Sequence, residues 1–114
     1  MPRKPRPGTP VRGSRTGRPV MALLDLLGRR WALRIVWELR VGSLTSRALR
    51  DACGGLSPTV LQDRTLELRD AGLVELTEPS GYALTALGEQ LLEKFLPLVE
   101  WSERWAAASK ESGR

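Results

Sequence analysis

The chain contains no histidine and a single cysteine, Cys53. Without histidine there is no His-based catalytic triad, and one thiol among scattered carboxylates is a poor ligand set for zinc. A lone cysteine cannot form an intramolecular disulfide, which agrees with a reducing compartment. No window approaches the roughly 18 consecutive apolar residues of a membrane span, and the first residues lack the apolar stretch of a signal peptide. A cytoplasmic protein without a membrane partner is therefore expected. Neither a Walker loop nor a dinucleotide fingerprint occurs, and the Gly54-Gly55 pair is too short to cradle phosphates. No catalytic, metal or cofactor site is expected, and the chain does not read as an enzyme. Its 114 residues suffice for one domain with a modest core.

Positive charge is in excess, and it is unevenly placed. The net charge is +5, yet residues 1–18 alone carry Arg3, Lys4, Arg6, Arg12, Arg15 and Arg18 with no acid, so the remainder sums to −1. Residues 29–69 hold eight basic and four acidic groups, and residues 70–114 hold four basic and eight acidic. Cations thus follow the N-terminal segment and the middle of the chain, which points to a polyanionic partner. A plainly solvated surface would explain the middle segment on its own.

The order of elements is legible from punctuation and periodicity. Residues 1–18, rich in Pro, Gly, Arg and Thr, read as a disordered basic arm; residues 19–108 read as the folded domain and 109–114 as a flexible tail. "RPVMALLDLLG" reads as a short helix with Leu23, Leu24 and Leu27 inward and Gly28 as its stop. "RRWALRIVWELRVG" places Trp31, Ile35 and Leu39 at i, i+4, i+8 and reads as the central helix, ended by Gly42. "SLTSRALRDACGG" reads as a short helix capped by Thr45 or Ser46, with Ala48, Leu49 and Ala52 inward and Gly54-Gly55 as a turn. The next stretch, "GLSPTVLQDRTLELRDAGLVE", opens on Ser57 as a cap and Pro58 at the first helical position, and stops at Gly72. At about 100° per residue, Val60, Leu61, Leu68 and Ala71 gather on one side. Thr59, Gln62, Asp63, Leu66 and Asp70 fall on the other, with Arg69 at the margin. "LVELT" and "YALT" around "EPSG" read as a small β-hairpin turning at Pro79 and Gly81. A long helix from near Thr85 follows, with a kink or break expected at Pro97. Helix, helix, helix-turn-helix, two-stranded wing and long helix make a mainly α fold, a winged helix-turn-helix with a C-terminal dimerisation helix. The polar face of residues 57–71 lies where a recognition helix would enter the major groove of double-stranded DNA.

Three segments, "PVMALLDLLGRRWALRIVWEL" (19–39), "ALRDACGGLSPTVLQDRTLELRDAGLVE" (48–75) and "YALTALGEQLL" (82–92), carry a resemblance to the HxlR-type winged-helix transcriptional regulators, relatives of the MarR regulators. It spans roughly residues 18–105 of the chain. What it implies is a homodimeric DNA-binding regulator, paired through its first and last helices, that represses or activates promoters. There are departures. Arg18 stands where many members have a cysteine used to sense oxidants or aldehydes, and Cys53 stands at a usual leucine, where it reads as core. Thr45 and Ser46 replace a common Arg-Phe pair. Thr65 stands at a usual leucine and Leu66 at a usual charged position. The wing has no basic residue between Leu76 and Leu84.

Within this frame Thr59 and Gln62 are the candidate base readers, since Gln pairs with adenine N6 and N7 and Thr meets bases or phosphates. Asp63 would accept from cytosine N4 or orient a neighbouring arginine. Arg64 sits near the inner stripe, so its head reads either as a phosphate contact or as an internal partner. Arg69 stands at the margin of the same face. Arg47 and Arg50 on the preceding helix read as phosphate clamps, and Ser57 could offer a backbone N–H to a phosphate, although capping already explains it. Leu66 reads as a thymine-methyl contact or as an exposed leucine. On the last helix Leu87, Leu91, Phe95, Leu98, Trp101 and Trp105 form one apolar series which, with Leu23 of the first helix, reads as a homodimer interface. The partner chain is the best reading of that series; packing within one chain is the alternative, and a small-molecule effector pocket between the tryptophans and the first helix is a third. The rival function from another class is a winged-helix protein–protein module that does not bind DNA.

Overall fold

The computed structural model describes residues 18–111; residues 1–17 of the expected disordered arm and residues 112–114 of the expected tail lie outside them. Five helices and three short strands follow in the order α1 (Pro19–Leu27), α2 (Ala32–Glu38), a 3₁₀ turn (Leu39–Val41), β1 (Leu44–Thr45), α3 (Ser46–Ala52), α4 (Pro58–Asp70), β2 (Val74–Thr77), β3 (Gly81–Leu84) and α5 (Ala86–Glu111). The sheet is antiparallel with strand order β1-β3-β2. The wing is therefore three-stranded, one strand more than the hairpin expected from the sequence. Two residues are too few for an alternating pattern to reveal β1; only its pairing, Leu44 with Tyr82 and Thr45 with Gly81, defines it.

α2 and the 3₁₀ turn after it form the centre, with Ile35, Val36 and Leu39 buried against Leu49 of α3, Leu61 and Leu68 of α4, Val74 of β2 and Tyr82 of β3. Two expectations are corrected here. α1 turns Ala22 and Leu26 inward, while Leu24 is exposed and Leu23 and Leu27 are half-buried. Leu24 and Leu27 instead line a groove of about 390 Å³ with Leu33, Leu91, Phe95 and Leu98. An apolar residue on a short helix has two apolar neighbours to choose between, and periodicity alone does not select the core. Trp31 does not lie within the helix; it caps α2 with φ 78°, the left-handed region, and its carbonyl accepts from the Ile35 N–H at 2.9 Å. That conformation costs a bulky residue on the order of 1–3 kcal/mol. Packing against the core, and the Arg30 guanidinium 5.2 Å from its ring centroid, hold it there.

The caps read from the sequence are in place. Thr45 Oγ1 accepts from the Ala48 N–H at 3.1 Å, and Ser57 Oγ accepts from the Val60 N–H at 3.2 Å. Gly72, at φ 80°, lets the chain leave α4 and enter β2. Gly81 belongs to β3 rather than to the turn. A Cβ there would sit 2.5 Å from the Leu44 carbonyl oxygen, so glycine is what allows β1 to approach. α5 runs continuously through Pro97 to Glu111, into the segment read as a tail and without the break considered for Pro97.

Thr85 locks the start of α5 to the end of α4. Its hydroxyl donates to the Gly72 carbonyl at 2.6 Å and accepts from the Gly88 N–H at 3.1 Å. Thr85→Ala should lower unfolding stability by about 1 kcal/mol, the usual loss for a cap. Urea denaturation checks this; an unchanged midpoint would show that the cap contributes nothing.

Candidate nucleic-acid interface

α3 and α4 are joined through residues 53–57, where Gly54 (φ 83°) and Gly55 (φ 91°) supply the turn. Leu61, Thr65 and Leu68 anchor α4 to the core. Thr65, at the position of a usual leucine, is fully buried and tolerated because its hydroxyl donates to the Leu61 carbonyl at 2.8 Å. With that face inward, Thr59, Gln62 and Asp63 are exposed together on the opposite side, and their side chains have no hydrogen-bond partner among the described residues. Leu66 is 38% exposed on the same face, one turn further on.

The remaining cations divide. Arg47 is exposed and Arg50 half-buried on α3, neither with a side-chain partner among the described residues, and Arg69 is half-buried at the far end of α4. Ser57 spends its hydroxyl on the cap. Arg64 turns inward and donates to Glu67 Oε1, so of its two readings the internal partner is the one observed. Glu67 also receives Arg29 Nη1 on Oε2 at 2.7 Å, and Arg29 Nη2 reaches Asp25 Oδ2 at 3.2 Å. A charged network thus links α1, the α1–α2 turn and α4. Sequence reasoning missed it because Arg29 and Glu67 lie 38 positions apart.

On the other side of the molecule, Trp37 meets Phe95 edge-on at 6.0 Å between ring centroids, fixing α5 to α2. Beyond that contact the apolar series is open. Leu98 is 53% and Trp105 61% exposed, Leu87 and Trp101 are exposed as well, and the two indoles stack at 6.1 Å. Leu91 packs against the core, and Leu23 is half-buried.

Cys53 is buried at the end of α3. Burial pushes its thiol pKa up, with the Arg34 charge opposing in part and Glu38 adding slightly. A raised folded-state pKa keeps the proton on the native thiol, so its contribution to stability is present below the ordinary thiol range and declines as pH rises through the folded value. Native protein should react with a maleimide at least about tenfold more slowly than denatured protein at pH 8. Equal rates would show that the site opens freely.

An exposed polar helix face beside arginines without side-chain partners among the described residues, flanked by a small antiparallel wing, defines the winged helix-turn-helix class of transcription regulators. Residues 26–110 match the family model described as HxlR-like helix-turn-helix, and the chain belongs to that family. It is 32% identical over 91 residues to the HTH-type transcriptional regulator YtfH of Escherichia coli, covering 75% of this chain and 72% of that protein. A possible HxlR-family transcription factor from Thermoplasma volcanium is 30% identical, with a TM-score of 0.65 over 75% of this chain and 82% of that one. A MarR-family transcriptional regulator from Enterococcus faecalis superimposes with a TM-score of 0.70 at 28% identity, over 81% of this chain and 89% of that one. Among the described residues no helix is long and apolar enough to cross a membrane.

Proposed function

We propose that the protein binds DNA sequence-specifically as a homodimer on an inverted repeat, with α4 in the major groove, and regulates transcription from there. The observation that carries this reading is the exposed row of Thr59, Gln62 and Asp63 on the first half of α4, polar and without side-chain partners among the described residues. Arg47 and Arg50 flank it on α3 and would take phosphates, which position the protein while base contacts specify. The cations of residues 1–18 add sequence-independent attraction. The half-buried Arg69 would meet a phosphate at the far end of the helix. A second copy would cover the open apolar face of α1 and α5 and place two α4 helices about one helical turn of DNA apart.

Gln62→Ala should lose about 1–3 kcal/mol at the cognate site and little on random DNA. Binding isotherms on a duplex selected from random sequence, and on a scrambled duplex, test this. Equal loss on both would show that Gln62 reads no base. The second reading, a protein–protein module, draws on the wing, where Glu75 and Glu78 are exposed and no cation lies between Leu76 and Leu84. A salt titration separates the two, because DNA affinity must fall steeply with salt as counterions are released.

A further inference from the structure

The wing lies against the two helix-turn-helix helices, and the contact is not closed. A cleft of about 290 Å³ remains, lined by Ser46 and Arg50 of α3, Pro58, Leu61 and Gln62 of α4, and Tyr82 of β3. Tyr82 is only 8% exposed and belongs to the core cluster. Its hydroxyl is not one of the fully buried unpaired polar atoms, so the small exposed part of this residue leaves the phenol reachable from the cleft. Among the described residues the Tyr82 side chain has no hydrogen-bond partner, and its cross-strand neighbours Leu44 and Leu76 offer only apolar side chains. Arg50, one of the cleft's walls, is likewise without a side-chain partner among the described residues.

The lining has a definite chemical bias. It presents a guanidinium, a phenol, an amide and a hydroxyl, all of which donate, and it includes no carboxylate. Pro58 and Leu61 supply apolar walls, in which a charge-assisted hydrogen bond is stronger than in open water. Such a set suits a tetrahedral oxyanion better than a neutral or cationic guest. Location narrows the source. Gln62 belongs both to this cleft and to the exposed row proposed to face the bases, so a phosphate beside the major groove would lie at the cleft when α4 is seated.

We propose that this cleft seats one backbone phosphate of the bound DNA, gripped by Arg50 and by the Tyr82 hydroxyl, with Ser46 at its edge. Tyr82 and Ser46 thereby join the interface, although neither stands out as a contact residue in the sequence. The wing then contributes through Tyr82, one pair in from the hairpin turn, rather than through a cation. This inference rests on the DNA-binding reading, and its test is arranged to fail separately from it.

Tyr82→Phe removes only the unpartnered hydroxyl, so the melting temperature should hold while affinity falls about tenfold on cognate and scrambled duplexes alike. Arg50→Gln should lower the slope of log K against log salt by about one unit per chain, and Tyr82→Phe should leave that slope unchanged. Duplexes carrying a single neutral methylphosphonate at successive positions identify the phosphate. One position per half-site should weaken the wild type and leave Arg50→Gln unaffected. Wild-type binding that neither variant weakens, or an Arg50→Gln protein that still responds at every position, overturns the cleft and leaves the DNA-binding reading intact. A wild type that does not bind DNA overturns both. Inorganic phosphate provides the last arm: if it raises the wild-type melting temperature by as much as duplex does, and Arg50→Gln abolishes the rise, the cleft is a free-anion site and the DNA assignment fails.

Discussion

A Leu98→Glu protein should run as a monomer of about 12.6 kDa by light scattering, where the wild-type chain should run as a dimer. Its affinity for an inverted-repeat duplex should fall by at least about 100-fold, since the second half-site then binds without the effective concentration that linkage provides. The expectation comes from the shape of the apolar face. Leu24 and Leu27 of α1 and Leu33, Leu91, Phe95 and Leu98 around them form an open groove, and the stacked Trp101 and Trp105 extend it along α5. Trp37 against Phe95 fixes α5 before any partner arrives, so the surface is preformed. A twofold interface would bury position 98 twice, and an unpaired carboxylate in an apolar seam costs several kcal/mol per copy, on the order of 2–7 for a polar group left without a partner. Leu98 is exposed in the single chain, so the variant should keep its fold, which far-ultraviolet circular dichroism can confirm. An intact dimer would show that Leu98 lies outside the interface. A wild-type monomer would remove the reason to expect a palindromic site.

How much of this was legible in the sequence depends on how far apart the determining residues lie. α4 was readable almost to the residue because Ser57, Pro58 and Gly72 act on their immediate neighbours, and its two faces follow from helical period. The helix order and the β2–β3 hairpin were readable for the same reason. Trp31 faces the core as its spacing suggested, but its left-handed backbone was not readable because the packing of the whole α1–α2 corner imposes it. β1 escaped notice because a two-residue strand exists only through its partner, Tyr82 on β3. In the candidate site, the exposed row Thr59, Gln62 and Asp63 was visible from the wheel. The wheel left Arg64 with two readings, and its partner Glu67, three residues on in the same helix, decides between them; the cleft under Tyr82 was not visible, since other elements contribute its walls. The first helix shows the limit most plainly. Leu24 has the chemistry of a core residue, and only the position of α5 shows that it belongs to the groove.

Glu67→Ala should lower unfolding stability by about 2–3 kcal/mol, between the values typical of exposed and fully buried ion pairs. Glu67 is 15% exposed and serves two cations at once: Arg64 on Oε1, and Arg29 on Oε2 at 2.7 Å. Removing it leaves both guanidiniums in partly buried positions. Arg29 retains Asp25 at 3.2 Å, which limits the damage on that side. Arg64 loses the one carboxylate it meets among the described residues, where its buried Nε already has no hydrogen-bond partner. For a domain of this size such a loss corresponds to a melting temperature lower by roughly 8–20 °C. Glu67→Gln keeps one acceptor oxygen for two donors and should fall between the two. Arg29→Met combined with Glu67→Met tests the cause, because replacing a partly buried pair by apolar groups is often neutral. Arg64 still lacks a partner in that double variant, so recovery should be partial. Chemical denaturation of the three variants gives the ordering directly. A loss below about 0.5 kcal/mol in Glu67→Ala, the level of an ordinary surface substitution, would mean that α1 and α4 are held by apolar packing alone. The ordering predicted here would instead make Glu67 the point at which the helix proposed to read DNA is fixed to the helix proposed to pair the subunits.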